Sequence, residues 1–383
     1  MSRLDELIQE LCPNGVEYKK LSEVATIERG RRVVKEQLSQ NSGFPVFQNS
    51  LTPMGYHTDS NYPAETTFVI GAGAAGEIGY CKEDFWAADD CFPIVCSDSI
   101  ISRYVFHFLL GQQPIILSKV RKASIPRLSR TVIENLMIAV PPLPVQSEIV
   151  RILDSFTEVT AELTAELTAR KKQYEYYRNR LLSFSSDTKF ERLGDTCRMK
   201  SGKAIPSAMI SSTISEETPY ACFGGNGVRG YVSDASHHGE FPIIGRQGAL
   251  CGNVNYASGD FYATEHAVVV ESKGEYLQRF LYYLLTSMNL NQYKSQGAQP
   301  GLAVGNLENL VAPVPSLDVQ KRLVYVLDNF DVICSDLNIG LPAEIEARQK
   351  QYEFYRDALL TYAATGKIIL TDRQTDRQTD RRV

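Results

Sequence analysis

The run Phe68-Val-Ile-Gly71-Ala-Gly73-Ala-Ala-Gly76 has the spacing of a cofactor cradle. A strand followed by G-x-G-x-x-G lets backbone approach the phosphates of a dinucleotide or the equivalent part of S-adenosylmethionine, with an acid downstream for the ribose. Asp89 and Asp90 stand in that downstream place. Two features oppose the assignment. The interval after Gly76, Glu-Ile-Gly-Tyr-Cys-Lys-Glu-Asp-Phe-Trp, is too short and too β-like for a crossover helix and a second strand. A matching segment later in the chain, Ile244-Gly-Arg-Gln-Gly-Ala-Leu-Cys-Gly-Asn253, keeps a glycine-rich turn but loses the spacing. The glycines are therefore read as permitting tight turns or close backbone approach, and no cofactor is expected in this chain.

Other catalytic arrangements are missing as well. Adenine methylation uses an Asn or Asp before Pro-Pro and an aromatic residue, yet the Pro-Pro here, Pro141-Pro142, follows Val140. His57, His107, His237, His238 and His266 form no H-x-x-x-H or H-E-x-x-H pattern. The eight cysteines include no C-x-x-C, so reduced core thiols are expected rather than zinc or a disulfide framework. No apolar run approaches the ~18 residues of a membrane helix. The acidic, amphipathic start Met1–Ile8 is not read as a signal peptide, so a cytoplasmic location without membrane contact is the expectation.

A net charge of −5 argues at first against a polyanionic partner, but it is a whole-chain sum. Lys119, Arg121, Lys122, Arg127 and Arg130 cluster without an intervening acid, and Arg29, Arg31, Arg32 and Lys35 form a second knot diluted by Glu28 and Glu36. A charge run alone is usually a solvated face.

The elements that must position these residues come in two copies. Arg170-Lys-Lys-Gln-Tyr-Glu-Tyr-Tyr-Arg-Asn-Arg-Leu-Leu-Ser-Phe184 recurs as Arg348-Gln-Lys-Gln-Tyr-Glu-Phe-Tyr-Arg-Asp-Ala-Leu-Leu-Thr-Tyr362. Val140-Pro-Pro-Leu-Pro-Val-Gln146 matches Val314-Pro-Ser-Leu-Asp-Val-Gln320, Leu153-Asp154 matches Leu327-Asp328, and Ile133-Glu-Asn-Leu136 matches Leu307-Glu-Asn-Leu310. The fronts align loosely, with Leu21–Gly30 facing Leu193–Gly202. These fronts are rich in Gly, Pro and aromatics, with short β-like runs at Thr66–Ile70 and His266–Val270 and short helices over Tyr104–Leu110 and Leu277–Thr286. The backs carry apolar stripes at helical spacing: Ile149, Ile152, Phe156, Val159, Leu163 and Leu167 in the first, Leu323, Val326, Phe330, Ile333 and Leu337 in the second.

The spacing thus predicts an α+β chain of two similar domains set apart by two long antiparallel helices with pseudo-two-fold symmetry. The divisions fall at 1–14 (an N-terminal helix), 15–145 (first domain), 146–185 (first spacer helix), 186–318 (second domain), 319–365 (second spacer helix) and 366–383 (a repetitive, disordered tail).

Four features carry a family resemblance: the lead-in to each helix, P-P-L-x-x-Q in the first and P-S-L-x-x-Q in the second, the Gln-Tyr-Glu-Tyr/Phe-Tyr-Arg motifs, Thr160-Ala-Glu-Leu-Thr-Ala-Glu-Leu167, and Gly340-Leu-Pro-Ala-Glu-Ile345. With them, nearly the whole chain resembles the specificity subunits of type I restriction–modification systems. The resemblance implies a non-catalytic subunit whose two variable domains each read half of a split double-stranded DNA target. It further implies that the repeated helices dock two modification subunits, which hold S-adenosylmethionine and methylate adenine, and that a translocating restriction subunit can join. Tyr174, Tyr176, Tyr177, Arg178, Tyr352, Phe354, Tyr355 and Arg356 are candidate contacts to those partners, with helix packing as the alternative role. Base reading needs Arg, Lys, Asn or Gln on elements that reach a groove. The first domain offers Arg31, Arg32, Lys35, Gln48, Asn49, Lys119, Arg121, Lys122, Arg127 and Arg130. The second offers Lys200, Lys203, Asn226, Arg229, Arg246, Gln247 and Lys294. Rival readings are a stand-alone methyltransferase or nuclease, and a repeat scaffold that does not bind DNA.

The tail Thr371–Arg381 repeats Thr-Asp-Arg-Gln, which the codons ACA-GAC-AGA-CAG would spell from a slippage-prone tetranucleotide tract. The Thr-Ala-Glu-Leu pair suggests a ruler. Four helical residues add about 6 Å and a net turn of roughly 40°, close to the ~35° of one DNA base pair. Inserting a third Thr-Ala-Glu-Leu after Leu167 is expected to lengthen the unspecified spacer of the target by about one base pair. Methylation-site mapping of that variant checks it; an unchanged spacer refutes the ruler.

Overall fold

The computed structural model describes residues 2–40, 42–248, 250–295, 300–335 and 339–365. The chain divides into two compact units, residues 1–164 with 345–383 and residues 165–344. Each combines a sheet-bearing domain with stretches of long helix.

In the first unit a capped helix, Arg3–Leu11, precedes strand Tyr18–Lys20, which pairs antiparallel with Met137–Ala139. The domain body is a four-stranded sheet in the order Ala25–Ile27, Cys91–Cys96, Thr66–Ile70, Ile78–Cys81, beside a three-stranded sheet of Tyr56–His57, Phe44–Phe47 and Trp86–Ala87. Strand Thr66–Ile70 is buried along its whole length, as its unbroken run of Thr, Phe, Val and Ile suggests. The helix expected over Tyr104–Leu110 runs from Ser102 to Ser118 and packs Tyr104, Val105 and Leu109 into the core.

The second unit repeats this plan. Strand Phe190–Arg192 pairs with Val311–Pro313, a six-stranded sheet follows, and helix Gln278–Ser287 takes the place of Ser102–Ser118. Equivalent hydrogen bonds close both domains: Leu21 N–H donates to the Leu136 carbonyl at 2.8 Å, and Leu193 N–H to the Leu310 carbonyl at 2.8 Å. The repeated Glu-Asn-Leu is thus the latch that closes each domain on its own beginning.

One helix runs unbroken from Leu143 to Leu181. The spacer drawn over 319–365 is instead two helices, Leu317–Ser335 and Leu341–Thr365. Gly340 and Pro342 account for the restart. Pro lacks an N–H and fits only the first turn of a helix, and the Gly340 carbonyl accepts from Glu344 N–H at 3.2 Å. The tail 366–383, read above as disordered, lies outside the described residues, as does Leu337 of the second stripe.

The repeated motifs explain how domain and helix are joined. Gln146 is fully buried; its Oε1 accepts from Ile101 N–H at 2.9 Å, and its Nε2 donates to the Ser99 and Pro141 carbonyls at 2.9 and 2.7 Å. Gln320 does the same with Leu277 N–H, the Glu275 carbonyl and the Pro315 carbonyl at 2.8, 2.8 and 2.9 Å. Each glutamine therefore satisfies the backbone at the start of its domain helix. Removing it would leave buried groups unpaired at a cost of about 1–3 kcal/mol each.

About two turns along each long helix, Asp154 accepts from Arg103 Nε at 2.8 Å, and Asp328 from Arg279 Nε at 2.7 Å. Beside Asp154 stands the fully buried His107, which bonds Asp154 Oδ1 through Nε2 at 2.9 Å and the Tyr352 hydroxyl through Nδ1 at 2.8 Å. The second unit puts Tyr283 in that place, 2.5 Å from Asp328 Oδ1.

Burial pushes the imidazole of His107 down to about 4; the Arg103 charge works in the same direction, and the bond to Asp154 only partly opposes it. The unfolded chain takes up this proton near pH 6.5, while the folded one resists until near 4. Stability present at neutral pH is therefore lost as pH falls through that interval, by about 3 kcal/mol at most. The first unit is expected to lose more stability over this interval than the second, which has Tyr283 in that place and where burial lowers only the half-buried His237 in the same direction; His107→Gln should flatten the slope. Urea unfolding against pH with unit-resolved hydrogen exchange measures both.

Candidate nucleic-acid interface

The glycine-rich run is a hairpin turn, not the mouth of a helix. Gly71–Glu77 joins two antiparallel neighbours, strands Thr66–Ile70 and Ile78–Cys81. Gly73 and Gly76 adopt φ of +82° and +91°, where a β-carbon is strained. The second unit makes the same turn with one residue inserted: Gly248 and Gly252 have φ of +88° and +91°. Gly76 N–H donates to the Ile70 carbonyl at 2.8 Å, and Gly252 N–H to the Gly245 carbonyl at 2.7 Å. The lost spacing between the halves is this single insertion. A hairpin presents no helix N-terminus, so the dinucleotide geometry is not built here.

Candidate residues far apart in sequence converge on this turn. In the first unit Asn49 lies on one side, its carbonyl accepting from Ala74 N–H at 2.9 Å. The basic loop lies on the other: Gly73 N–H donates to the Pro126 carbonyl at 3.1 Å, and Ala72 bridges to Arg127. Gln48 Nε2 reaches Asp89 Oδ1 at 3.2 Å, and Arg29 Nε the Asp89 carbonyl at 2.9 Å. An open cleft of about 340 Å³ results, lined by Arg29, Asp89, Asp90, Arg127 and Arg130 around the turn. Arg31, Arg32, Lys35, Lys119, Arg121 and Lys122 are exposed.

In the second unit Gln247 bridges to Gly301, Gly248 N–H donates to the Pro300 carbonyl at 3.1 Å, and Asn253 Nδ2 reaches Asn226 Oδ1 at 2.9 Å. Lys294 bonds Asn291, whose Nδ2 in turn reaches the Cys251 carbonyl within the turn. Lys200 stays on a strand that runs beside this group, and Arg229 is tied to Ser207 Oγ at 2.7 Å.

Arg31 and Lys203 occupy equivalent places. Their backbone N–H groups donate to the Ala87 and Ala263 carbonyls at 2.9 and 3.0 Å. Their own carbonyls accept from Trp86 Nε1 and the Tyr262 hydroxyl, at 2.9 and 3.3 Å. The preceding glycines are obligatory, since a β-carbon on Gly30 or Gly202 would sit 2.1 or 1.9 Å from a backbone oxygen.

The partner candidates separate into two kinds. Tyr174 and Tyr352 pack inward, each under its own arginine, with Arg178 and Arg356 both 5.6 Å from the ring centre. Tyr177 stacks on Phe330 and Tyr355 on Phe156, with both rings still exposed at their edges. Tyr176 and Phe354 point outward at 58% and 46% exposure, which suits them for contact with another chain rather than for packing.

A sequence profile of the type I restriction modification DNA specificity domain matches residues 13–171 and 185–347. The chain belongs to that family. The specificity subunit of the type I restriction enzyme EcoprrI of Escherichia coli is 52% identical over 202 residues, 51% of this chain and 50% of that protein, so the chain spans half the length of this relative. S.HindORF215P of Haemophilus influenzae, provisionally named a type I restriction enzyme specificity subunit, is 29% identical over 387 residues, 91% of this chain and 96% of that one. The crystal structure of the type I restriction–modification S subunit from M. genitalium shares the fold, with a TM-score of 0.61 at 17% identity over 92% of this chain and 97% of that one.

Gly73 is the sharpest handle on the first turn: a β-carbon there lies 2.8 Å from the Asn49 carbonyl oxygen, whereas one on Gly248 meets nothing within 4 Å. Gly248→Ala should cost only the backbone strain, about 1–2 kcal/mol. Gly73→Ala should cost that and also displace the Asn49 loop. Paired urea titrations of the two variants give the difference, and equal losses would contradict the packing described.

Proposed function

We propose that this chain reads a bipartite duplex target, one half per unit, and directs adenine methylation and restriction performed by partner subunits. It supplies no catalytic groups of its own. The observation that carries the reading is the doubled frame: the same hairpin turn and flanking loops occur twice, rimmed by exposed Arg, Lys, Asn and Gln. Their side chains differ between copies while the backbone hydrogen bonds agree. A frame fixed in this way with changing side chains suits two different half-sites on a duplex.

In this reading, Arg31, Lys203 and the Lys119–Arg130 loop meet phosphates, and the residues around each turn meet base edges. Two modification subunits holding S-adenosylmethionine dock on the exposed aromatic edges of Tyr176, Tyr177, Phe354 and Tyr355, and a translocating restriction subunit joins that complex. Among the described residues no helix is long and apolar enough to cross a membrane, and none of the groups of His, Cys, Asp and Glu could hold a metal ion.

The test is competition binding of the chain to a random-sequence duplex library, with and without modification subunits, beside a labelled S-adenosylmethionine assay. Selection of one split motif and label transfer only in the presence of the modification subunits are the expected results. Methyl transfer by the isolated chain, or binding without sequence preference, would sink the proposal.

A further inference from the structure

Three polar atoms of the second unit are shut off from solvent, without a hydrogen-bond partner, at one place: Arg246 Nε, Glu265 Oε2 and His266 Nδ1. They form one cluster at the base of the hairpin turn. Arg246 N–H donates to the His266 carbonyl at 2.9 Å, and His266 Nε2 lies 3.1 Å from Glu265 Oε1. Arg246 Nη1 is anchored on Ser201 Oγ at 2.9 Å, which leaves the Nε side of the guanidinium unpaired. Buried polar groups are nearly always satisfied, so three orphans on residues linked in this way call for a partner that the chain itself does not provide.

Among the described residues, the first unit has no such set. Its matching positions are Gly71, Asp89 and Asp90. Asp89 Oδ1 is met by Gln48, and the Asp90 carbonyl by Gly71 N–H at 2.7 Å. The orphans therefore belong to the sequence of the second unit and not to the shared frame.

We propose that Arg246, Glu265 and His266 read one G·C base pair, through the major groove, in the half-target of the second unit. This rests on the DNA-reading role above. The Nε side of Arg246 supplies donors for guanine O6 and N7, while Glu265 Oε2 accepts from the cytosine N4 amino group of the same pair. His266 fixes the other carboxylate oxygen, and its free Nδ1 serves the adjoining base. Phosphate is the wrong ligand for the cluster, because it repels the carboxylate and offers no donor. A rotation of the Arg246 and Glu265 side chains on docking brings the closed-off atoms to the base edge.

Complexes of the full chain with its modification subunits, carrying wild-type sequence, Glu265→Gln, Arg246→Lys or His266→Asn, are compared by genome-wide methylation mapping. Glu265→Gln and Arg246→Lys should each relax one G·C position in one half-target, by about tenfold to a hundredfold in discrimination, and His266→Asn should relax that position and the one beside it. The other half-target and the spacer should stay unchanged. An unaltered motif, a change in the other half, or equal weakening on target and random duplex overturns the assignment. A wild-type complex without any motif would instead remove the DNA-reading role itself. Glu265→Gln and His266→Asn keep size and polarity, so the test survives if Arg246→Lys does not fold.

Discussion

Gln146 and Gln320 are the joints on which both units depend. Each is a neutral side chain with no exposure that bonds one backbone carbonyl in the lead-in to its own long helix and two backbone groups at the start of the domain helix. Through the latter two, the glutamine sets where the domain helix begins and how it meets the long helix. The nearby arginine–aspartate pairs, Arg103 with Asp154 and Arg279 with Asp328, hold the same two segments about two turns further on. Being partly buried, they are screened less than surface pairs. With both joints made, the sheet and its turn have a fixed relation to the helix within each unit.

That fixed relation lets the side chains around the turn vary. The hairpin turn is specified by backbone hydrogen bonds and by glycines at positive φ, neither of which depends on side chains around it. Gln48 and Asn49 in one unit give way to Gly224 and Gly225 in the other, and Gly71 gives way to Arg246, without disturbing the turn. Positive charge is delivered from different strands in the two copies: Arg29 beside Asp89 in the first, Arg246 beside Ser201 in the second. The net charge of −5 is compatible with this, because the cations are gathered on loops while acids such as Glu158, Glu162 and Glu166 sit on exposed helix faces.

The repeated aromatic motif divides its labour by helical geometry. Positions 174 and 178, like 352 and 356, are four apart and share the inward face, so tyrosine and arginine stack and pack. Positions 176 and 354 fall on the opposite side and remain exposed. One motif thus serves both packing and an outer surface, the two roles that its residue types alone leave undecided.

By itself, the sequence determined the repeat, the α+β class and the long first helix, since each of these is written in local spacing. It also marked most of the side chains that surround the two turns, because Arg, Lys, Asn and Gln on glycine-rich loops stand out locally. The tertiary structure alone decided that Gln48, Asn49 and the Pro126–Arg127 loop meet across Gly73, that Arg31 and Lys203 are equivalent, and that Glu265 and His266 belong beside Arg246. No sequence period links those partners. They are brought together by strand pairing over intervals of tens of residues, and whether a buried atom finds a partner depends on packing in three dimensions. The one hint in the sequence for Glu265 and His266 was their alignment with Asp89 and Asp90, and it becomes visible only once the two turns are superposed through their hydrogen bonds.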